Sequence, residues 1–315
     1  DIGADEYTPP ACPDLASGVI DFVTFEGGQF TFDDPSSTYN MEFGPCGFNQ
    51  GTGTTFNNLS NNPTITTLAS NTCFDAYVQR DCGGSGKSGW FGPITFTTLC
   101  SPSQKLSGTY TINNSLPPSA TNFTSFGAVE SILNACGILG PVTFNVGSGT
   151  YNEQMELINV PGISATNTIT FQADPANTSP AEVVFAASAS AENFVFRFTD
   201  MSYVTVRGLT LTATGTSYSK VIDMDGRGEY ITIEENTLNG SFSPSSVSSH
   251  NYDIISNNTG AANIYNHCII RKNEIHGGTY CIYLYGISSE LETGNVVDSN
   301  VIIDHVYSAI SMNYQ

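Results

Sequence analysis

The sequence predicts an all-β chain, and three observations predict it. Charged residues are only 12% of the 315, well below the usual share of about 25%. Gly, Ser, Thr and Asn stand in their place, which favours strands and turns. A phrase of alternating β-branched residues returns four times in the last third. Only one stretch carries a helical period.

Residues 1–10, DIGADEYTPP, read as the tail of a preceding module ending in a Pro-Pro linker. Residues 11–99 read as a β-sandwich. The strand candidates are VIDFVTF, GQFTF, YNMEFG, PTITTL, CFDAYVQRD and GPITFTT, closely spaced with Gly, Asn and Pro between them.

Residues 100–141 read as a linker and a helix. Phe126, Val129, Ile132 and Leu133 share one helical face, Ser or Thr precedes them, and Gly137 follows. An amphipathic helix here is expected to cover the open end of the structure that follows.

Residues 142–315 carry the repeat. YVTVRGLTL begins at Tyr203, YITIEENTL at Tyr230 and HCIIRKNEI at His267, and NVVDSNVII fills 295–303. Aligned, the copies are offset by 27, 37 and 27 residues. Between them lie the shorter apolar runs KVIDMDG, YDIISNN, YCIYLYG and SAISMN. Short strands at this period, with no helix-length pattern, predict a solenoid; a right-handed parallel β-helix fits best.

Side chains two apart face the same way. Val204/Val206, Ile231/Ile233, Cys268/Ile270 and Asn295/Val297 are therefore expected inside, with Leu211, Leu238, Ile275 and Ile302 as a second inward column. Asn236, Asn273 and Asn300 fall at a bend. There Asn tolerates left-handed backbone and stacks its amide on the next coil. Leu209 holds that place in the first copy, so the ladder is expected to begin at the second. Outside, Arg207, Glu234, Arg271 and Asp298 align with alternating sign. They are either a binding stripe or an ion ladder that holds register. The last run, SAISMNYQ, stops within a coil, which predicts that the polypeptide continues.

The net charge of −20 argues against nucleic acid and anionic membranes as partners, because phosphate needs clustered Lys and Arg. No apolar run is long enough to span a bilayer, so no direct membrane insertion is expected. Five of the eight cysteines fall in the first 100 residues. With no CxxC pair and four His, they read as disulfides in an oxidising compartment rather than zinc ligands. Cys46 with Cys73 and Cys100 with Cys136 are trial pairs, and the connectivity is open. Cys268 and Cys281 are candidate buried thiols.

The carriers of chemistry are few. No GxSxG, P-loop, HExxH or EF-hand loop is present. Asp223 and Asp225 share one side of a strand, with Arg227 nearby. They are the candidate catalytic carboxylates or a calcium corner; the plainer reading is a polar strand edge, and no cofactor is required. Glu234 and Glu235 are adjacent, so they point to opposite sides. Asp304 and His305, near His276, are a candidate base pair or a solvated turn. His250 lies in the Ser-rich insertion SFSPSSVSSHNYD, which is either a contact for a glycan or a neighbouring module or, the plainer reading, a passive loop. Tyr280, Tyr283 and Tyr285 are the candidate glycan-binding residues. Tyr283 and Tyr285 have parity opposite to Ile282 and Leu284, and would form a flat outer patch or pack against a loop.

Two stretches carry resemblances. TITTLASNTCFDAYVQRDCG followed by SGWFGPITFTT resembles the fibronectin type III family. Leu68 precedes the Tyr77-Val78 strand, Thr97–Thr98 close the last strand, and Phe30 or Phe32 stands where that family has a core Trp. SGTYTI with ACGILGPVTFNVGSGTYNEQ, within 107–154, resembles the entry to the pectin-lyase-like β-helix of very large secreted proteins of Bacteroidetes. DIGADEY resembles the phrase that closes the preceding helix in them. The resemblance covers nearly the whole chain. It implies a repetitive extracellular protein exported by type IX secretion and shown at the cell surface as an adhesin or stalk, with neighbouring modules and cell-surface glycan as partners. The expected function is non-catalytic and structural or adhesive. The alternative is a carbohydrate-active or glycan-binding module acting on extracellular polysaccharide.

Overall fold

The computed structural model describes residues 12–34, 36–241, 249–257 and 263–315. The N-terminal tail and most of the Ser-rich insertion lie outside the described residues. The chain divides into two compact units, Asp1–Gln104 and Lys105–Gln315.

The first unit is antiparallel. Gly18–Val23, Gly28–Phe32 and Thr64–Ile65 form one sheet, and Thr54–Leu59, Thr38–Pro45, Cys73–Asp81 and Lys87–Thr97 form a second. Both contribute to one core of Phe30, Phe32, Tyr39, Met41, Phe43, Val78 and Phe96, whose rings meet mostly edge to face. The strand Thr54–Leu59 is not evident in the sequence, because TTFNNL buries no residue fully and lies at a sheet edge. Cys12–Cys82 and Cys46–Cys73 are disulfides, and Cys100 and Cys136 are also disulfide-bonded. Six oxidised cysteines fit an oxidising environment. No helix among the described residues is long and apolar enough to cross a membrane.

The second unit is a stack of parallel coils. One eight-stranded sheet runs from Asn122–Phe123 and Leu106–Ile112 through Ile138–Val146 and Val204–Arg207 to Val296–Asp298; two six-stranded sheets accompany it. The third sheet is built from the short runs of the sequence, Ile222–Asp225, Ile255–Ser256, Tyr280–Tyr285 and Ser308–Asn313. Stacking follows the predicted alignment: Val206, Ile233, Ile270 and Val297 are register partners, as are Leu211, Leu238, Ile275 and Ile302. Phe144 and Phe171 stack face to face at 5.0 Å.

The expectation for 100–141 is corrected. Leu106–Ile112 pairs in parallel with Ile138–Val146, so the stack begins before the helix and 100–141 is not a linker. The helix spans Phe126–Cys136; Ser125 Oγ accepts from the Ala128 N–H, and Gly137 ends it at φ 72°. Its buried Phe126, Val129 and Leu133 join the core of the coils.

The corner chemistry differs from expectation by one residue. The left-handed positions are Gly208, Glu235, Lys272 and Ser299, with φ from 54° to 67°, each immediately before Leu209, Asn236, Asn273 or Asn300. The Asn residues form the ladder itself. Asn236 Nδ2 donates to Val206 O and to Asn273 Oδ1, both at 3.0 Å, and Asn273 Nδ2 donates to Ile233 O and Asn300 Oδ1, both at 2.9 Å. Leu209 N–H donates to Asn236 Oδ1 at 3.0 Å, so the ladder begins at the second copy. Left-handed backbone costs a non-glycine residue about 1–2 kcal/mol; the ladder satisfies the polar groups that the bend frees.

Candidate functional site

The outer face of the third sheet carries the candidate chemistry. Glu156, Arg197, Asp223, Ser256, Tyr283 and Ser311 are successive register partners. They alternate with inward Phe196, Ile222 and Ile282, so strand parity turns them outward.

Asp223 is on the predicted side of its strand, yet it is 0% exposed. Arg197 Nε donates to its Oδ2 at 2.9 Å and Lys220 Nζ to its Oδ1 at 3.1 Å. Arg197 also donates to Ala191 O and lies over the Phe194 ring at 4.0 Å. Asp223 is therefore a buried counter-ion between two cations, with neither oxygen free to act on substrate. Asp225 lies on the wall of a neighbouring cleft, and with both Asp223 oxygens held by cations Asp223 is not available as one half of an acid pair. Arg227 pairs with Glu290 rather than with either aspartate. Among the described residues no group of three or more His, Cys, Asp or Glu is placed to hold a metal ion.

The cleft measures about 410 Å³ and is lined by Asn193, Arg197, Lys220, Asp225, His250 and Asn251, among others. His250 Nδ1 lies 3.0 Å from Oδ2 of Asp253, which is 0% exposed. Burial pushes the Asp253 carboxyl up, against the pull of His250 and Lys220. The pair sets an imidazole against a buried carboxyl group at the wall of the cleft, an arrangement that general bases use.

The tyrosine patch is corrected. Tyr283 faces outward as parity requires, but it is 9% exposed and Tyr280 is 8% exposed. His250 covers both, with ring centroids at 4.8 Å from Tyr280 and 4.5 Å from Tyr283. Only Tyr285, 39% exposed and stacked on Tyr283, presents surface. His250 lies against both rings, so Tyr280 and Tyr283 are packed under it rather than open as a flat patch.

The charge column is an ion ladder over three of its four members. Arg207, Glu234, Arg271 and Asp298 are partners in sequence. Glu234 bridges both arginines, with Arg271 at 2.7 Å and Arg207 at 3.9 Å. Among the described residues no ion pair joins Asp298 to Arg271. Glu235 pairs with Lys272 at the corner. His276 meets Glu274 at 2.8 Å, while Asp304 and His305 are exposed.

Sequence reasoning missed Arg197, Lys220 and Asp253. The signal was rarity: in a chain with nine Lys and Arg, a basic residue at an outward strand position such as FRFT needs a partner. The chain matches no protein-family model, no curated protein and no solved structure.

Proposed function

We propose that this chain is a non-catalytic structural module of an extracellular surface protein, in which the coils form a stiff scaffold. The observation that carries it is the use of the polar groups. Asn236, Asn273 and Asn300, Glu234 between two arginines, and Asp223 between Arg197 and Lys220 each join one coil to the next. Groups bound in register are unavailable for turnover. In this reading the coils form a right-handed β-helix of the pectin-lyase-like kind, and the helix Phe126–Cys136 caps its apolar interior. The antiparallel unit is a fibronectin type III-like spacer. The disulfides support display outside the cell, and the resemblance to large Bacteroidetes surface proteins supports an adhesin or stalk.

A second reading rests on one observation, the His250–Asp253 pair at the wall of the polar cleft. A carbohydrate-active enzyme would use His250 as base there. The two separate on incubation with a panel of plant and bacterial polysaccharides, followed by assay of reducing ends and unsaturated products. The scaffold reading expects no release. Release that His250→Ala abolishes would replace it with the enzyme reading.

A further inference from the structure

The repeat has a second left-handed corner, at Tyr203, Tyr230, His267 and Gly294, with φ from 55° to 71°. The register makes these four residues one column, and places Thr168 at the same position one coil earlier. Along it the rings stack nearly parallel. Tyr203 and Tyr230 centroids lie 5.2 Å apart at 11°, and Tyr230 and His267 lie 4.9 Å apart at 16°. These spacings match the separation of about 4.8 Å between neighbouring strands.

The two ends of the column differ. At the far end a Cβ on Gly294 would lie 2.5 Å from the His267 ring, so the glycine backbone seals that face. At the near end the stack meets Thr168, and a cleft of about 410 Å³ opens, lined by Ala165, Thr168, Tyr203, Thr205 and Tyr230. Its size falls in the range of about 300–1,000 Å³ typical of small-molecule sites. The Tyr203 hydroxyl donates to Glu229 Oε1 at 3.1 Å, which fixes the ring.

We propose that this cleft binds a neutral pyranose ring, stacked on Tyr203 as the missing member of the column. A pyranose places its C–H face on the electron-rich face of Tyr203, and its rim hydroxyls reach the Thr168 and Thr205 hydroxyls. None of the lining residues is charged, and a net charge of −20 repels uronates and nucleotides. This goes beyond the scaffold reading and stands without it.

The test is calorimetric titration of the whole chain with hexasaccharides of β-1,4-glucose, β-1,4-mannose, β-1,4-xylose and α-1,4-glucose, and with p-cresol as an aromatic probe. At least one sugar is expected to bind saturably. Tyr203→Ala should weaken it at least about tenfold. Thr168→Phe extends the stack into the cleft and leaves the Tyr203 corner intact. It should abolish binding while keeping the melting temperature at or above that of the wild type. Absence of binding by all four sugars, undiminished binding by Thr168→Phe, or binding of p-cresol alone would each overturn the proposal. A scaffold without this site would still show no polysaccharide turnover, so the two readings fail separately.

Discussion

Asn236 Nδ2 donates to Asn273 Oδ1 at 3.0 Å across one coil, and both side chains are at most 2% exposed. The same Asn273 oxygen also accepts from the Asn236 main-chain N–H. One side chain thus satisfies two donors of the preceding coil while its own amide closes on Ile233 O and Asn300.

Asn273→Ala strips partners from several buried groups at once, and each costs about 1–3 kcal/mol when left unsatisfied. Urea unfolding of the second unit should show a loss of at least about 2 kcal/mol. Asn300→Ala, at a half-buried position in the last coil, should cost less. Equal losses, or none, would count against the ladder as the source of register.

The two charged clusters should respond differently to truncation. Arg207 and Arg271 side chains are 45% and 44% exposed beside Glu234, so Glu234→Ala should cost only about 0.2–1 kcal/mol per pair, and less at high salt. Asp223→Ala takes the carboxylate from Lys220 and leaves Arg197 only Glu156, at 3.8 Å; the Arg197 and Lys220 side chains are 14% and 7% exposed, so the loss should be about 3–5 kcal/mol with little salt dependence. Denaturant melts at low and high salt distinguish them; a mild, salt-sensitive Asp223→Ala would contradict its place as a buried counter-ion.

Burial pushes the Cys268 and Cys281 thiols up to about 12, and the thiolate is the reactive form. Iodoacetamide should label neither in the native protein and both in urea, with the six disulfide-bonded cysteines unlabelled until reduced. Rapid native labelling at Cys281 would place it outside the core.

Two acids should respond to pH with opposite sign. Hydrogen bonds from Ser37 and Ser36 pull Asp34 down to about 2 from 3.8, so its contribution is present above 3.8 and is lost as pH falls toward 2. Burial pushes Glu292 up from 4.5, against donors from Gln315, Tyr265, Asn257 and Asn295. Its contribution is intact below 4.5 and is lost as pH rises through the raised value. Stability between about pH 2 and 6, measured against Asp34→Asn and Glu292→Gln, should show the first difference shrinking toward acid and the second moving against wild type toward neutral.

The coils were legible because their period is printed in the residues. Val206, Ile233, Ile270 and Val297 could be aligned without coordinates, and so could the Asn ladder and the charge column. The corner was misplaced by one residue because Glu235 and Lys272 carry no local mark of left-handed backbone; only Gly208 does. Periodicity left Leu106–Ile112 in a linker, although SGTYTI carried the resemblance to a β-helix entry, because LSGTYTI stands 32 residues before its partner, Ile138–Val146, with the helix between. The candidate site was the least legible part. Parity correctly turned Asp223 and Tyr283 outward, but outward is not exposed: Arg197 comes from one coil earlier, and His250 from a loop whose path no periodicity describes. The aromatic column was visible as the first letter of three copies, yet its open end depends on Thr168, which belongs to a coil without the phrase.

The central claim is that the coils are a stiff scaffold held together coil by coil. Force spectroscopy on the whole chain, pulled from its two ends, tests it most directly. The account predicts high-force unfolding in steps that release single coils of 27 or 37 residues, about 90 to 125 Å at about 3.4 Å per residue, with Asn273→Ala lowering the force of the middle steps. Smooth extension at low force, without steps of that length, would contradict it.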